Sequence, residues 1–319
     1  MTGTSGQAGP GFRHVLYPYD GQHAFVAGAL AYIEEALRGG AVVLLAVDEP
    51  KEELLRAELP GSGAAGRVTF LDTATVGRNP GRMIPAWQAW IAERSADGSP
   101  VHAIGESRWS GRTEGETAEL RYHEWLLNMA FARSPMWWLL CPYDTTTFGE
   151  EELALARRCH PLVLRDGLPE EGPDYGEEPF AFDALPAPQD GGNELTFGFG
   201  DLPAVREAVT SCAARHGMKG ARLRELLIVC TEVASNSLRY GGGGGTLRMW
   251  GEEAAGGTVM ICEFHDSGYL SDPLVGRIRP RPDQLGGRGM WLVQQLCDLV
   301  QIRSDPGTGT TVRLHMAVD

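Results

Sequence analysis

The chain has 319 residues, enough for two domains of the usual size, each with its own core. Its 43% hydrophobic and 22% charged content is that of an ordinary globular protein, and no run approaches the roughly 20 apolar residues of a membrane span. A net charge of −14 opposes general nucleic-acid binding, which needs a basic surface to displace phosphate counterions, so neither a nucleic-acid nor a membrane partner is expected.

From Phe12 to about Arg165, strand-like and helix-like segments alternate. HVLY (14–17) precedes a helical stretch from Gln22 to Arg38. AVVLLAV (41–47) is a short valine-rich apolar run, the pattern of a buried strand, and a charged helix follows over 50–58. Next come strand VTFLDT (68–73), a helix over 83–95, strand VHAIGES (101–107), a helix over 114–132, strand MWWLLC (136–141) and a helix from Glu150 to Arg158. Such alternation predicts an α/β domain with a parallel sheet and helices on both faces. Residues 166–193 hold 8 acidic and no basic side chains, more than half of the net charge of −14, and are rich in Pro and Gly. That composition cannot bury a core and predicts a linker. The six cysteines form no CxxC pair and mostly sit in apolar runs, as buried thiols of a reducing compartment do. With an opening, MTGTSGQAGPGF, that lacks the apolar core of a signal peptide, a cytoplasmic location is expected.

Beyond the linker, chemistry-bearing residues recur at regular intervals. A helix over Ala221–Tyr240 carries Leu223, Leu226, Leu227, Cys230 and Val233 as one apolar stripe. Glu232 and Asn236, four apart, share a face beside it. An amide oxygen suits Mg²⁺, and a carboxylate one turn away suits a hydroxyl attacking phosphate. Two solvated polar residues are the plainer reading of that spacing alone. The strand TVMICEFH (258–265) ends in Asp266–Ser267–Gly268, where a carboxylate can accept from an adenine amine and a glycine lets the chain turn close to the base. An ordinary Asp/Gly turn is the alternative. The GGGGG run at 241–245 predicts a mobile loop. In GGRGMWLVQQLCDLV (286–300), Gly286, Gly287 and Gly289 come just before an amphipathic helix carrying Met290, Leu292, Val293 and Leu296, leaving N–H groups for phosphate. Arg277, Arg279, Arg281 and Arg288 supply cations that could screen a triphosphate. Gly307 and Gly309 then make a turn before TTVRLHM, where Thr310 or Thr311 can hydrogen-bond near a base.

The order and spacing of these elements match the Asn box and the three glycine boxes of the GHKL ATPase family, and the resemblance runs from LPAVREAV (202–209) to the C-terminus. Within that family the chain most resembles the anti-sigma serine/threonine kinases, through DLPAVREAVTSCAARHGM, TEVASNSLRYG and GGRGMWLV. The resemblance implies a two-layer α/β sandwich of the Bergerat type over 194–317, a mixed sheet with helices on one face, and ATP between the helices and a lid. It implies Glu232 as general base and Asn236 as the Mg²⁺ ligand. Asp266 and Gly268 would lie at adenine, with Thr310 or Thr311 completing that pocket. Gly287, Arg288 and Gly289 would lie at the phosphates. A sigma factor and an antagonist protein of the STAS type are the implied partners, and a homodimer the implied assembly. Tyr240 stands where many relatives have histidine. A module that binds the sigma factor through nucleotide without catalysis is the competing reading. A histidine kinase is a further one, for which His123–Glu124 is the only His-Glu pair, and it lacks the basic–Pro tail of a phosphoacceptor helix.

Residues 12–165, with HVLYPYDGQHAF, LLCPYDT (139–145) and CHPLVL (159–164), resemble the MEDS sensory domain, a degenerate P-loop fold of the RecA-like kind. That resemblance implies a small-molecule ligand. YPYDGQHAF (17–25) lacks the GxxxxGK[ST] phosphate loop, so no ATP hydrolysis is expected there, although Asp72 could imitate a Walker-B carboxylate. His14, His102, His123, His160, Cys141 and Cys159 include zinc- or iron-type donors, but their spacing matches no common finger and core histidines are the plainer reading. Trp109, Trp125, Trp137 and Trp138 either line a ligand pocket or pack the core.

Overall fold

The apolar runs of the N-terminal half become the strands of one sheet. A computed structural model describes residues 11–59, 66–71, 78–107, 109, 111–176, 184–188, 191–254, 256–281, 283–284 and 286–319. The chain splits into two units, residues 1–77 with 86–180, and residues 78–85 with 181–319. Asp72 lies outside the described residues.

In the first unit the elements are β1 (Phe12–Tyr19), α1 (Gly21–Arg38), β2 (Val42–Ala46), α2 (Glu49–Glu58), β3 (Val68–Phe70), α3 (Met83–Arg94), β4 (Val101–Gly105), α4 (Glu114–Phe131), β5 (Trp137–Asp144), α5 (Glu150–Cys159), β6 (Leu162–Arg165) and β7 (Leu168–Glu171). The first three residues of α3 group with the second unit. Strand order is β3-β2-β4-β5-β1-β6-β7. All pairs are parallel except β6 with β7. A parallel sheet is covered on both faces, which is why AVVLLAV and MWWLLC read as unbroken apolar runs. Phe25, Ala29, Ile33 and Ala36 give α1 one buried stripe, packed with Val15, Val43, Leu45, Ile104 and Leu140. Trp137 is fully buried and rings with Phe12, Phe131 and Trp87, so it packs the core.

Thr113 starts α4 with a reciprocal capping box, its hydroxyl accepting from the Glu116 N–H while the Glu116 carboxylate accepts from the Thr113 N–H. Thr113→Ala is expected to cost about 1 kcal/mol of stability. Denaturant titration of the full chain checks this, and an unchanged midpoint would count against the cap.

The expected linker starts later than residue 166. Asp166 and Gly167 both take positive φ (49° and 79°) and form a two-residue turn that folds β7 back on β6, pairing Arg165 with Leu168. Asp-Gly is the residue pair such a turn requires, and the acidic composition around it hid the signal.

The second unit contains β8 (Asn193–Gly198), α6 (Leu202–Arg215), α7 (Gly220–Tyr240), β9 (Gly244–Ala254), β10 (Gly257–Asp266), α8 (Arg288–Leu296), β11 (Leu299–Asp305) and β12 (Gly309–Ala317). The sheet order is β11-β12-β10-β9-β8 and its pairs are antiparallel, where a mixed sheet was expected. Val205 and Val209 of α6, Leu226, Val229 and Val233 of α7, and Met290 and Val293 of α8 meet Leu247, Met260, Phe264, Val312 and Leu314 in one core.

One further expectation changes. The glycine run is not only a loop, because Gly244 and Gly245 open β9. A Cβ at Gly244 would lie 2.5 Å from the Phe197 carbonyl oxygen, and one at Gly245 2.5 Å from that of His265, so glycine lets three strands approach there. The amphipathic helix that carries Met290, Val293 and Leu296 ends at Leu296, and LVQIRSD forms β11, pairing with β12. The carbonyls left at that helix end are capped by the segment 78–85. Asn79 Nδ2 donates to the oxygens of Gln294 (2.9 Å) and Cys297 (3.3 Å), and Arg82 Nη2 to that of Cys297 (2.7 Å).

Candidate functional site

α7 is the spine of the candidate nucleotide site. Its apolar stripe is drawn into the core by the sheet, with Leu226, Cys230 and Val233 buried and Leu223 and Leu227 partly so. That rotation puts Glu232 and Asn236 half-buried at the edge of the packed face.

The glycine-rich start of α8 lies against Glu232. A Cβ at Gly289 would fall 2.4 Å from Glu232 Oε2, so the glycine leaves room for this carboxylate beside the helix start. Gly287 takes a left-handed conformation (φ 77°, ψ −4°) and caps α8, and Arg288 is exposed in its first turn. The free N–H groups and the dipole of that turn favour an anion.

At the other end of α7 the Asp-x-Gly turn is locked in place. Asp266 Oδ2 accepts from the Ser237 hydroxyl (2.6 Å), and Oδ1 accepts from the Gly268 N–H (2.9 Å). The Gly268 carbonyl accepts from the Thr310 hydroxyl (2.8 Å), whose oxygen lies 2.7 Å from Ser304 Oγ. Ser267 Oγ donates to the Gly241 carbonyl (3.0 Å). A carboxylate has about four acceptor positions, so Asp266 keeps capacity for a donor from a ligand.

The strand register separates the two threonines. Thr310 pairs with Asp266 and Thr311 with His265 on adjacent strands, and paired residues share a face. Thr310 is buried on the side of Asp266 and α7. Thr311 faces the other way, with Oγ1 3.0 Å from His265 Nδ1. The structure thus brings Asp266, Gly268 and Thr310 together at one end of α7, and Glu232 and Gly289 one to two turns earlier, with Asn236 between them along the helix. Thr311 is not among them. Of the arginines between the two glycine elements, Arg277 is buried, Arg281 pairs with Asp283 at 3.2 Å, and Arg279 and Arg288 are exposed.

Sequence reasoning missed Ser237, Gly241 and Ser304. Ser237 immediately follows Asn236 and anchors the carboxylate that recognition of a base would use. A Cβ at Gly241 would sit 2.3 Å from Asp266 Cγ. The signal was present in SNSLRYG, a small polar residue and a glycine four apart at a helix end.

The first unit has a cavity of about 450 Å³ at the C-terminal ends of β1, β2 and β5, lined by Tyr19, Gln22, Asp48, Lys51, Leu54 and Asp144. Open parallel sheets bind ligands at this edge. Lys51 Nζ contacts Glu106 Oε1 at 2.6 Å and Tyr19 OH donates to the same oxygen at 3.0 Å. Burial raises the Glu106 pKa, against the pull of Lys51. β1 passes to α1 through Asp20 alone, with no room between them for a loop around a phosphate chain.

Among the described residues no helix is long and apolar enough to cross a membrane. Residues 199–316 match the family described as the histidine kinase-like ATPase domain. Residues 13–161 match MEDS, the methanogen/methylotroph, DcmR sensory domain. No curated protein matches the chain. Among solved structures, the Acinetobacter baumannii histidine kinase AdeS is similar at 15% identity, over 40% of this chain and 68% of its own, with a TM-score of 0.23. The chain joins an N-terminal MEDS sensory domain to a C-terminal histidine-kinase-like ATPase domain.

Proposed function

We propose that residues 194–317 bind Mg·ATP and transfer its γ-phosphoryl group to a serine or threonine of an antagonist protein of the STAS type, and that the same domain holds a sigma factor. The observation that carries this reading is the placement of Glu232 and Asn236 on one helix, between the Gly289 helix start and the Asp266 turn. The donor set fits the ligand. Asp266 has remaining acceptor capacity for an exocyclic amine, the first turn of α8 offers N–H groups, and Asn236 offers an amide oxygen of the kind magnesium takes. Bound Mg·ATP supplies the electrophilic phosphorus. Glu232 would then hold the proton of the incoming hydroxyl. A binding-only module has no need of such a base, which favours catalysis.

His123 is buried in the middle of α4, a poor place for a phosphoacceptor that another domain must reach. Incubation of the full chain and a serine-bearing antagonist with labelled ATP separates the readings. An acid-stable phosphoester on the antagonist supports the proposal. Acid-labile label on the chain itself supports a histidine kinase, and binding without transfer supports a sigma-binding module.

The two threonines give a finer test. Thr310→Val leaves the Gly268 carbonyl without its donor and is expected to weaken ATP about 5-fold, the effect of roughly 1 kcal/mol. Thr311→Val should leave affinity unchanged. Equal losses in a fluorescent-ATP titration would contradict the assignment of Thr310 to the base pocket.

For residues 12–165 we propose a degenerate P-loop fold of the RecA-like kind that controls the ATPase domain across the acidic linker. The central position of β1 between β5 and β6, with parallel neighbours on both sides, supports this. The cavity beside Lys51 is where a small organic ligand would sit.

A further inference from the structure

Four side chains from distant parts of the first unit converge on one buried point. His14 lies on β1 and Cys141 on the adjacent β5, two positions past its register partner Leu139 and so on the same face. Glu124 comes from α4 and His160 from the end of α5. One donor atom from each lies within 4.8 Å of all the others. Both histidines are fully buried and Glu124 is 5% exposed.

The hydrogen bonds fix which atoms face that point. Asn128 Nδ2 donates to the Cys159 carbonyl at 2.6 Å, which turns Asn128 Oδ1 toward His14. Oδ1 is an acceptor, so His14 Nδ1, 3.1 Å away, carries the proton. His160 Nδ1 lies 2.7 Å from the Ala156 carbonyl, again an acceptor, so it too carries the proton. In both neutral rings Nε2 is therefore a lone pair pointing inward. These lone pairs lie 3.5 Å and 3.7 Å from Glu124 Oε2, itself an acceptor. Glu124 Oε2 and His160 Nε2 are buried with no hydrogen-bond partner. Among the described residues, the Cys141 thiol brings a proton to the centre, its sulfur 3.3 Å from His14 Nε2.

Acceptors facing acceptors in a dry interior cost free energy unless a cation or a proton lies between them. We propose that His14, Glu124, Cys141 and His160 form a binding site for one divalent transition-metal ion of the zinc class. Two imidazoles, one thiolate and one carboxylate are a zinc-type donor set, and soft sulfur with nitrogen disfavours magnesium and calcium. Tetrahedral bonds of about 2.0–2.3 Å place neighbouring donors about 3.3–3.8 Å apart, and the separations of 3.3, 3.5 and 3.7 Å already fall there. Asn128 and the Ala156 carbonyl supply the outer hydrogen bonds that orient metal-bound histidines. Binding displaces the Cys141 thiol proton to solvent and leaves the thiolate on the metal. His102 takes no part, being stacked on Trp138, and neither His123 nor Cys159 joins the group.

The full chain, stripped of metal with a chelator, is titrated with cobalt(II) and followed by absorption, with bound zinc measured separately by mass spectrometry. The expected result is one ion per chain, tetrahedral cobalt bands, and a thiolate-to-cobalt charge-transfer band. Zinc should raise the melting midpoint. Cys141→Ser should abolish the charge-transfer band, whereas Cys159→Ser should keep it. Glu124→Gln, which preserves shape, should keep the band and weaken cobalt at least tenfold, and so serves if the serine variant does not fold. A magnesium-type oxygen site in the ATPase domain gives no thiolate band, so the result is independent of nucleotide binding. A wild-type titration without the charge-transfer band, or a band that survives in a folded Cys141→Ser chain, would overturn the proposal.

Discussion

Replacing Glu232 with Gln is expected to slow phosphoryl transfer to a protein hydroxyl by about 10²–10⁴-fold, the usual contribution of a positioned general base. Nucleotide affinity should change little, because the substitution keeps the shape of the side chain beside Gly289 and leaves the Asp266 turn, one to two turns along α7, untouched. The two readouts must be taken on the same preparation, transfer by labelled ATP and affinity by fluorescent-nucleotide titration. Loss of transfer with affinity retained places the carboxylate at the chemistry. Loss of both would mean that Glu232 supports the fold of the site, and loss of neither would remove it from the mechanism.

Gly241→Ala is expected to weaken ATP by about 10–100-fold. The backbone at Gly241 has φ −96°, which alanine tolerates, so strain is not the cause. The added Cβ would fall 2.3 Å from Asp266 Cγ and 2.5 and 2.6 Å from its two oxygens. Asp266 would have to rotate away, giving up the Ser237 hydroxyl and the Gly268 N–H. Hydrogen bonds to a charged group are worth about 1.5–3 kcal/mol, and each 1.4 kcal/mol is tenfold in affinity. Gly256, where a Cβ meets open space, supplies the control, and Gly256→Ala should bind as the native chain does. Native affinity in Gly241→Ala would show that Asp266 is not the group that holds the base.

The strands of the first unit were legible because a parallel sheet buries both faces and so writes each strand as one apolar run, as in AVVLLAV and MWWLLC. The edge strand β7 was not, because it has no buried face to mark it, and only the Asp166–Gly167 turn betrays it. In the second unit β9 was hidden by its own opening glycines, whose use is close approach of neighbouring strands rather than mobility. The capping of α8 by Asn79 and Arg82 could not be read at all, since it joins residues more than 200 positions apart.

For the site, motif order placed the participants but not their contacts. The choice between Thr310 and Thr311 depends on strand register, which a period-2 pattern alone leaves open. Ser237 was overlooked for a different reason. A serine inside a helix usually bonds its own backbone or solvent, and its partner Asp266 lies 29 residues away. The histidines and Cys141 were noticed, but their convergence, and the entry of Glu124, come from the neighbouring positions of β1 and β5 and from two helices laid over them.

A crystal structure of the full chain with magnesium and a non-hydrolysable ATP analogue tests the central claim most directly. Adenine should lie with its exocyclic amine on Asp266 and beside Thr310, the phosphates at the first turn of α8, and the metal on the carboxamide oxygen of Asn236. A nucleotide seated elsewhere, or Asn236 turned away from the metal, would contradict the assignment of this ATP site.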